Sequence, residues 1–449
     1  MTDIEDISSQ FTRQCSCVKP ETSNLNDLLR ILPYHIRFKI IRLLDKRTRD
    51  LLIPLSNSCP DLILANSSDI WGDFDINFKL NVDKAFEKFI NVDKIFGSTV
   101  KSYNFDCSEI TQQEYSRISL KLDEVSDELK SKVKTLDLSD TRFGEDFVNF
   151  RSPLSSFYNS GLVNVKNIKL SDCPWLTGRE VHSIATEYQV ERLDVSLNST
   201  LDENFLTDLF NTKSIVYRIA TPDLVPVKVF TSSHMVSLNL LECRSIDIHC
   251  LIKISENLPN LQELYLDGDS MTDSCSIYIS ALKNLKILHV MYLNERLGDD
   301  FLDNFWKHGL DQKFTNLKLT HQQFSSDAWG NFLDRKIDDN LKVLELGSTD
   351  INDRHLCRIL ERCHNLKILL LDWNDKITDF PFFKYHKNML EIEKLSLVGC
   401  RDVKATNGGE KWFSLDLIER YWLKLRILPG KAVFVPTRLQ KSCARVATL

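Results

Sequence analysis

One pattern recurs along this chain at a nearly constant interval, and it limits the fold more than any other property of the sequence. VKTLDLSD begins at Val133, VKNIKLSDC at Val165, VERLDVSLN at Val190 and MVSLNLLEC at Met235. LQELYLDGD follows at Leu261, LKILHVMYL at Leu285, FTNLKLTHQ at Phe314, LKVLELGST at Leu341, LKILLLDWN at Leu366 and IEKLSLVGC at Ile392. Each places apolar residues at the first, fourth and sixth positions. From Met235 the starts are 26, 24, 29, 27, 25 and 26 residues apart; upstream the separations are 32, 25 and 45. Alternating apolar residues mark a strand with one buried face. A unit that short cannot bury its face alone, so repeats of this period stack side by side over one continuous core. The longest gap leaves room for a degenerate unit around SIVYRIA (214–220), and VKSYNFDCS from Val100 fits as an earlier unit.

Five residues after the second apolar position stand Cys173, Asn198, Cys243, Asn374 and Cys400. A small polar group there, turned inward, can bond backbone left unpaired where the strand ends. This period with this ending is the leucine-rich-repeat signature. Behind each strand comes an amphipathic stretch that opens on acidic or hydroxyl residues: LTGREVHSIA, LDENFLTDLF, MTDSCSIYIS, LGDDFLDNFW and INDRHLCRIL. Those residues suit N-caps, and the apolar spacing suits a helix packed on one face. The expected fold is an α/β leucine-rich-repeat solenoid, a horseshoe of ten to twelve units with a parallel sheet on its concave face. Units ending in Cys, followed by L/I-T/N-D and a helix ending C-x-x-L, resemble the cysteine-containing repeats of F-box proteins. INDRHLCRILERCHNLKILLLDWNDKITD (351–379) matches best, and the likeness covers roughly residues 100–428.

Ahead of the repeats, NLNDLLRILPYHIRFKIIRLLDKRTRDLLIPLSNSCPDL (24–62) carries Ile36, Ile40, Leu43 and Leu44 at helical spacing, with Pro33 placed to open the helix. This resembles the F-box itself, an L-P start followed by an apolar helix, an Asp-containing turn and a second helix. Leu32, Pro33, Ile36, Ile40, Leu43, Leu44 and Asp45 match the first half; Leu52, Leu55, Cys59 and Trp71 correspond to the second. Pro60 departs from it, because it breaks the helix the family runs through that region. The resemblance implies that Leu32, Pro33, Ile36, Ile40, Leu43 and Leu44 dock on a Skp-type adaptor, a helix-in-groove contact. The competing reading is a helical cap over the open end of the solenoid. The chain thus divides into a disordered tail (1–23), an F-box-like segment (24–72), the solenoid (73–428) and a C-terminal tail (429–449).

Composition removes several classes of function. A net charge of -6 over 449 residues leaves no basic footprint for nucleic acid and no general attraction to anionic membranes. The acidic start MTDIEDISSQ is neither a signal nor a transit peptide, and no run of eighteen apolar residues exists. The 12 cysteines therefore read as reduced thiols in the cytosol or nucleus. His355, Cys357, Cys363 and His364 cluster, but not at a usual zinc spacing; Cys357 is expected on the buried stripe of its helix. DGDSMTD (267–273) lacks the glycine and the glutamate of a calcium loop, CSC (15–17) belongs to the tail, and NGG (407–409) lacks the residues of a phosphate loop. The expectation is no catalytic residue, no metal and no cofactor.

Binding remains. Residues flanking the paired core leucines face the concave side. The early units offer Thr135, Asp137, Ser139, Asn167, Lys169, Ser171, Arg192, Asp194 and Ser196, a solvated set. Later units offer Leu241, Tyr265, His289, Met291, Val343, Glu345, Ile368 and Leu370, interrupted by Asn316, Lys318 and Thr320. A contiguous apolar patch marks a partner site, so Leu241, Tyr265, His289, Met291, Leu370 and the rim residue Trp373 are the target-binding candidates. The alternative occupant is the tail 429–449 folded back, with Val433, Phe434 and Val435 as plugs. The F-box resemblance implies a substrate receptor of a Skp–cullin–F-box ubiquitin ligase, one copy per complex, joining an adaptor and cullin scaffold to a protein target. The alternatives are a plain interaction scaffold and an elongin-linked cullin receptor, for which FTRQCSCV (11–18) is a poor adaptor box.

Overall fold

The computed structural model describes residues 72–403 apart from short internal stretches, the longest running from 210 to 233. The adaptor-binding candidates Leu32, Pro33, Ile36, Ile40, Leu43 and Leu44 lie outside the described residues, as do the rest of 1–71, the C-terminal tail and the segment 214–220.

Twelve strands form one sheet: β1 (Asp73–Asn77), β2 (Ser102–Asp106), β3 (Val133–Asp137), β4 (Asn167–Lys169), β5 (Arg192–Asp194) and β6 (Ser237–Leu240), then β7 (Glu263–Asp267), β8 (Ile287–Met291), β9 (Asn316–Leu319), β10 (Val343–Glu345), β11 (Ile368–Leu370) and β12 (Lys394–Ser396). Their order in space is their order in sequence, and the pairs from β3 to β12 are parallel. Between them run helices α1 (Val82–Phe96), α2 (Gln112–Asp123), α3 (Asp127–Ser131), α4 (Pro153–Asn159), α5 (Ile248–Asn257), α6 (Cys275–Ala281), α7 (Asp299–His308), α8 (Ser326–Lys336), α9 (Asp353–Arg362) and α10 (Phe380–Lys384). By contact the chain divides into two units, one from the N-terminus to Ile76 plus Asp83–Asn104, the other Asn77–Val82 plus everything from Phe105 on.

β5 pairs directly with β6, Leu193 opposite Leu238. The degenerate unit expected over 214–220 is not tested by this pairing, because it lies outside the described residues. A unit also precedes Val100: Phe74 and Ile76 are buried in the alternation of the repeat, and β1 is built on them. In the first unit Phe74 packs 5.5 Å from Phe96 of α1, and Phe89 stands edge-on to Tyr103 at 4.7 Å.

The second unit's core is the register made solid. Leu264, Leu288, Leu317, Leu344 and Leu369 lie opposite one another across β7 to β11, and all are fully buried. Burying each stabilises by about 1.5–3 kcal/mol relative to exposure. Behind β8 and β9 the helices contribute rings instead: Phe305 lies 5.8 Å from both Phe314 and Phe332, and Trp329 donates Nε1–H to the Thr349 carbonyl at 3.0 Å.

Two sets of polar side chains join neighbouring repeats. At the helix starts, Asp273 accepts from Gly298 N at 2.8 Å, Asp299 from Ser325 N at 2.8 Å and Asp353 from Thr378 N at 2.7 Å. At the strand ends the Asn and Cys positions act as expected. Asn198 Nδ2 donates to the carbonyls of Leu170 and Val195 while its Oδ1 accepts from Cys173 N. The thiols of Cys173, Cys243 and Cys400 donate to the carbonyls of Leu138, Val195 and Leu371 at 3.1, 3.2 and 3.1 Å. Thr141 and Thr349, at the same repeat position, donate to Leu138 and Leu346.

Just before that position the backbone turns left-handed. Asp140, Asp172, Leu197, His321, Ser348 and Trp373 have φ between 51° and 63°. The turn lets each of their N–H groups reach the next repeat: Asp140 to Ser171 O, Leu197 to Leu241 O, Trp373 to Val398 O. A bulky residue in this conformation costs about 1–2 kcal/mol, which the added hydrogen bond offsets.

Candidate functional site

The face of the sheet turned away from the helices, in the second unit, carries the candidates in rows fixed by register. One row runs Asp137, Lys169, Asp194, Asn239, Tyr265, His289, Lys318, Glu345, Leu370, Ser396. The next row, two residues further along each strand, includes Leu241, Asp267 and Met291, with Asp267 opposite Met291.

At the early repeats the face is polar and internally paired. Lys169 meets Asp137 at 3.1 Å, and Ser196 Oγ donates to Ser171 Oγ at 3.0 Å. Arg192 reaches over β6 to Glu263 at 2.6 Å; the residue between them in register is the small Ser237.

The expected single apolar patch is two groups. Tyr265 and His289 are in contact on β7 and β8, ring centroids 4.5 Å apart and planes at 88°. Val343, Ile368 and Leu370 form a second group on β10 and β11. Lys318 and Glu345, bridged at 3.0 Å, stand between. Leu241 does not join Met291 either, because the half-buried Asp267 occupies the same row on the strand between them. An apolar pattern does not pick out Asp267, although the repeat template assigns it the same outward position as Leu241 and Met291.

Leu370 is half-buried between Glu345 and Ser396, the edge of its group. Trp373 is 61% exposed at the rim, and its ring covers Gly399, whose φ of 78° belongs to glycine.

Electrostatics distinguish β7–β9 further. Burial, reinforced by the Lys318 ammonium, pushes the His289 imidazole down to about 4, so it is neutral at pH 7. Its Nε2 is shielded and has no hydrogen-bond partner, and neither has the buried Thr320 Oγ1. Burial also raises the Asp267 carboxyl, reinforced by the like charges of Asp269 and Glu242.

The His/Cys cluster disperses into separate structural tasks. His355, not Cys357, sits in the core of α9: its Nδ1 accepts from Asn352 N and its Nε2 donates to the Ser326 carbonyl at 2.9 Å. Cys357 is only half-buried, a correction to the helical stripe, which runs through Leu356, Ile359 and Leu360. His364 pairs with Asp339 at 2.8 Å on the surface. Among the described residues no three His, Cys, Asp or Glu side chains gather as a metal site requires, and no helix is long and apolar enough to cross a membrane.

No family model matches the sequence, and no curated protein sequence does. Solved structures do. The structure of the Rad7 and Elc1 complex in yeast aligns over 84% of this chain and 93% of that one, at 14% identity and a TM-score of 0.50. An internalin (inlF) of Listeria monocytogenes aligns over 61% of this chain and 69% of its own, at 17% identity and a TM-score of 0.33. The TLR13–ssRNA13 complex aligns over 67% and 32%, at 15% identity and a TM-score of 0.33. The parallel sheet, its helices and the first of these likenesses define the class: the chain is an α/β leucine-rich-repeat solenoid.

Proposed function

We propose that the chain is the non-catalytic substrate receptor of a cullin-based ubiquitin ligase. The sheet's open face holds a target protein, and residues 24–62 hold a Skp-type adaptor. The observation that carries the receptor role is that face. Tyr265, His289 and Asp267 are held half-buried there, in outward positions the core does not use. The ligase assignment is supported by the L-P-x-x-I-x-x-x-I-x-x-L-L pattern over 32–44 and by the likeness to Rad7, which was solved with Elc1. Such a receptor raises the local concentration of target lysines near the ubiquitin donor and makes no bond itself. The chain would work in the cytosol or nucleus.

A second reading follows from the Rad7 structure: the adaptor is of the Elc1 kind, not the Skp kind. Capture of purified adaptors by the full chain separates the two. The wild type should retain the Skp-type adaptor, and a variant carrying Ile36→Asp and Ile40→Asp should lose it. Retention of Elc1 alone selects the second reading. Retention of neither leaves an interaction scaffold whose N-terminal helices are a cap.

A further inference from the structure

Across β7, β8 and β9 the open face assembles hydrogen-bond acceptors and an aromatic ring, while its cations are already engaged. The Asp267 carboxylate accepts the Asp269 N–H at 3.0 Å, and the charges bearing on it, Asp269 and Glu242, share its sign. His289 presents a neutral ring with Nε2 unpartnered; with the proton on Nδ1 this atom is an acceptor. Thr320, one strand further in the row of Asp267 and Met291, is 2% exposed, and its Oγ1 has no partner. Arg192 is bound to Glu263 and Lys318 to Glu345. In the row of Asp267 and the single position after it, the described residues from β3 to β12 include Asp140, Asp172, Glu242, Asp267 and Asp372 but no Lys or Arg. Of these, Asp172 meets Arg142, and Asp372 accepts from Ser396 Oγ and Val398 N.

We propose that this part of the face takes an arginine side chain of the target protein. The guanidinium sits between the Asp267 carboxylate and the Tyr265 ring and donates to His289 Nε2 and Thr320 Oγ1. The site rests on the reading of the open face as the target-binding surface.

The chemistry selects this occupant. An anion would meet Asp267 and Glu242. An apolar side chain would leave both unpartnered atoms as they are, at a cost of the kind that makes buried polar groups rare exceptions. A guanidinium has five N–H donors in one plane and no acceptor, and it stacks on aromatic rings. Strands lie about 4.8 Å apart, so the backbones of β7 and β9 are separated by about 10 Å. Side chains leaning in from both can meet one planar group. Met291 holds the register position between them. Its unbranched side chain is the adaptable one that has to change rotamer on binding.

The test uses the full chain and fluorescein-labelled eight-residue peptides of alternating serine with arginine, lysine or citrulline, read by anisotropy. The arginine peptide should bind, and the neutral citrulline isostere about tenfold more weakly or worse. Asp267→Asn and Tyr265→Leu should each weaken the arginine peptide about five- to tenfold, whereas Asp140→Asn, on the same acidic edge but four strands away, should stay within about twofold. The proposal is overturned if the lysine peptide binds as tightly as the arginine one, if citrulline costs nothing, or if Asp140→Asn matches Asp267→Asn. The comparison among peptides uses the wild type alone, so it decides even if a variant folds poorly. Adaptor capture run in parallel separates failures. Its loss with arginine preference intact refutes the ligase reading only; its persistence without that preference refutes this site only.

Discussion

Replacing Asn374 by alanine isolates the energetics of the seam between repeats. The side chain is fully buried and makes three principal bonds: Nδ2 to Leu346 O at 2.6 Å and to Leu371 O at 2.9 Å, and Oδ1 from Thr349 N at 3.0 Å. The two carbonyls keep other donors, Thr349 Oγ1 at 2.8 Å and Cys400 Sγ at 3.1 Å. Each therefore loses one ordinary bond, worth about 1 kcal/mol net. Thr349 N loses the acceptor that holds it and becomes a buried unsatisfied donor, at about 1–3 kcal/mol. Asn374→Ala should therefore destabilise by about 3–5 kcal/mol. Asn374→Cys should fall between, because a thiol can donate to Leu346 O as Cys400 does to Leu371 O but accepts poorly from Thr349 N. Urea unfolding followed by circular dichroism, with slopes compared to confirm one transition, measures both. A loss below about 1 kcal/mol for the alanine variant, or a cysteine variant no better than alanine, would refute the seam as the source of stability.

Two further outcomes follow. The His289 imidazole is held at about 4 in the folded chain against an ordinary 6.5, so folding opposes its protonation. Stability is full above the ordinary value and falls as pH drops from there through 4, by about 2 kcal/mol once the ring's partial exposure is allowed for. Urea midpoints at pH 7 and pH 4 should therefore lie closer together for His289→Gln than for the wild type; an unchanged difference would place the acid sensitivity elsewhere. Gly399→Ala adds a methyl group where the Trp373 ring lies and forces alanine to φ near 78°. It should cost about 1–3 kcal/mol and shift tryptophan emission, and Trp373→Ser should restore part of the loss by making room.

Most of the framework could be read from residue spacing, because leucines that alternate in a strand leave only one face to bury. The Asn and Cys positions were legible for the same reason, since each sits at a fixed distance from its core leucine. Thr141 and Thr349 do the same work and were missed, their hydroxyls being common enough to pass for turn residues. The strand over 73–77 was hidden by aromatic residues in leucine positions. The site was only half visible. Repeat position places Tyr265 beside His289, but the spacing says nothing about which cation takes which carboxylate. The Lys318–Glu345 bridge divides the expected patch, and the bridge from Arg192 to Glu263 crosses a whole strand. Those pairings depend on side-chain length and on a small residue, Ser237, lying between.

The strand-end bonds have a consequence for motion. Cys173, Asn198 and Cys243 stitch the repeats of β3 to β6, and Thr349, Asn374 and Cys400 those of β10 to β12. At the helix starts Asp273 and Asp299 stitch the repeats of β7 to β9, and Asp353 those of β10 and β11. Each of these stitches reaches only the adjoining repeat, so the solenoid is a row of seams, each closed by its own bonds. Amide exchange by local opening should therefore report on the seams one by one. A ligand touching both Tyr265 and His289, on adjoining strands, would add a stitch of its own on the open face as it bound.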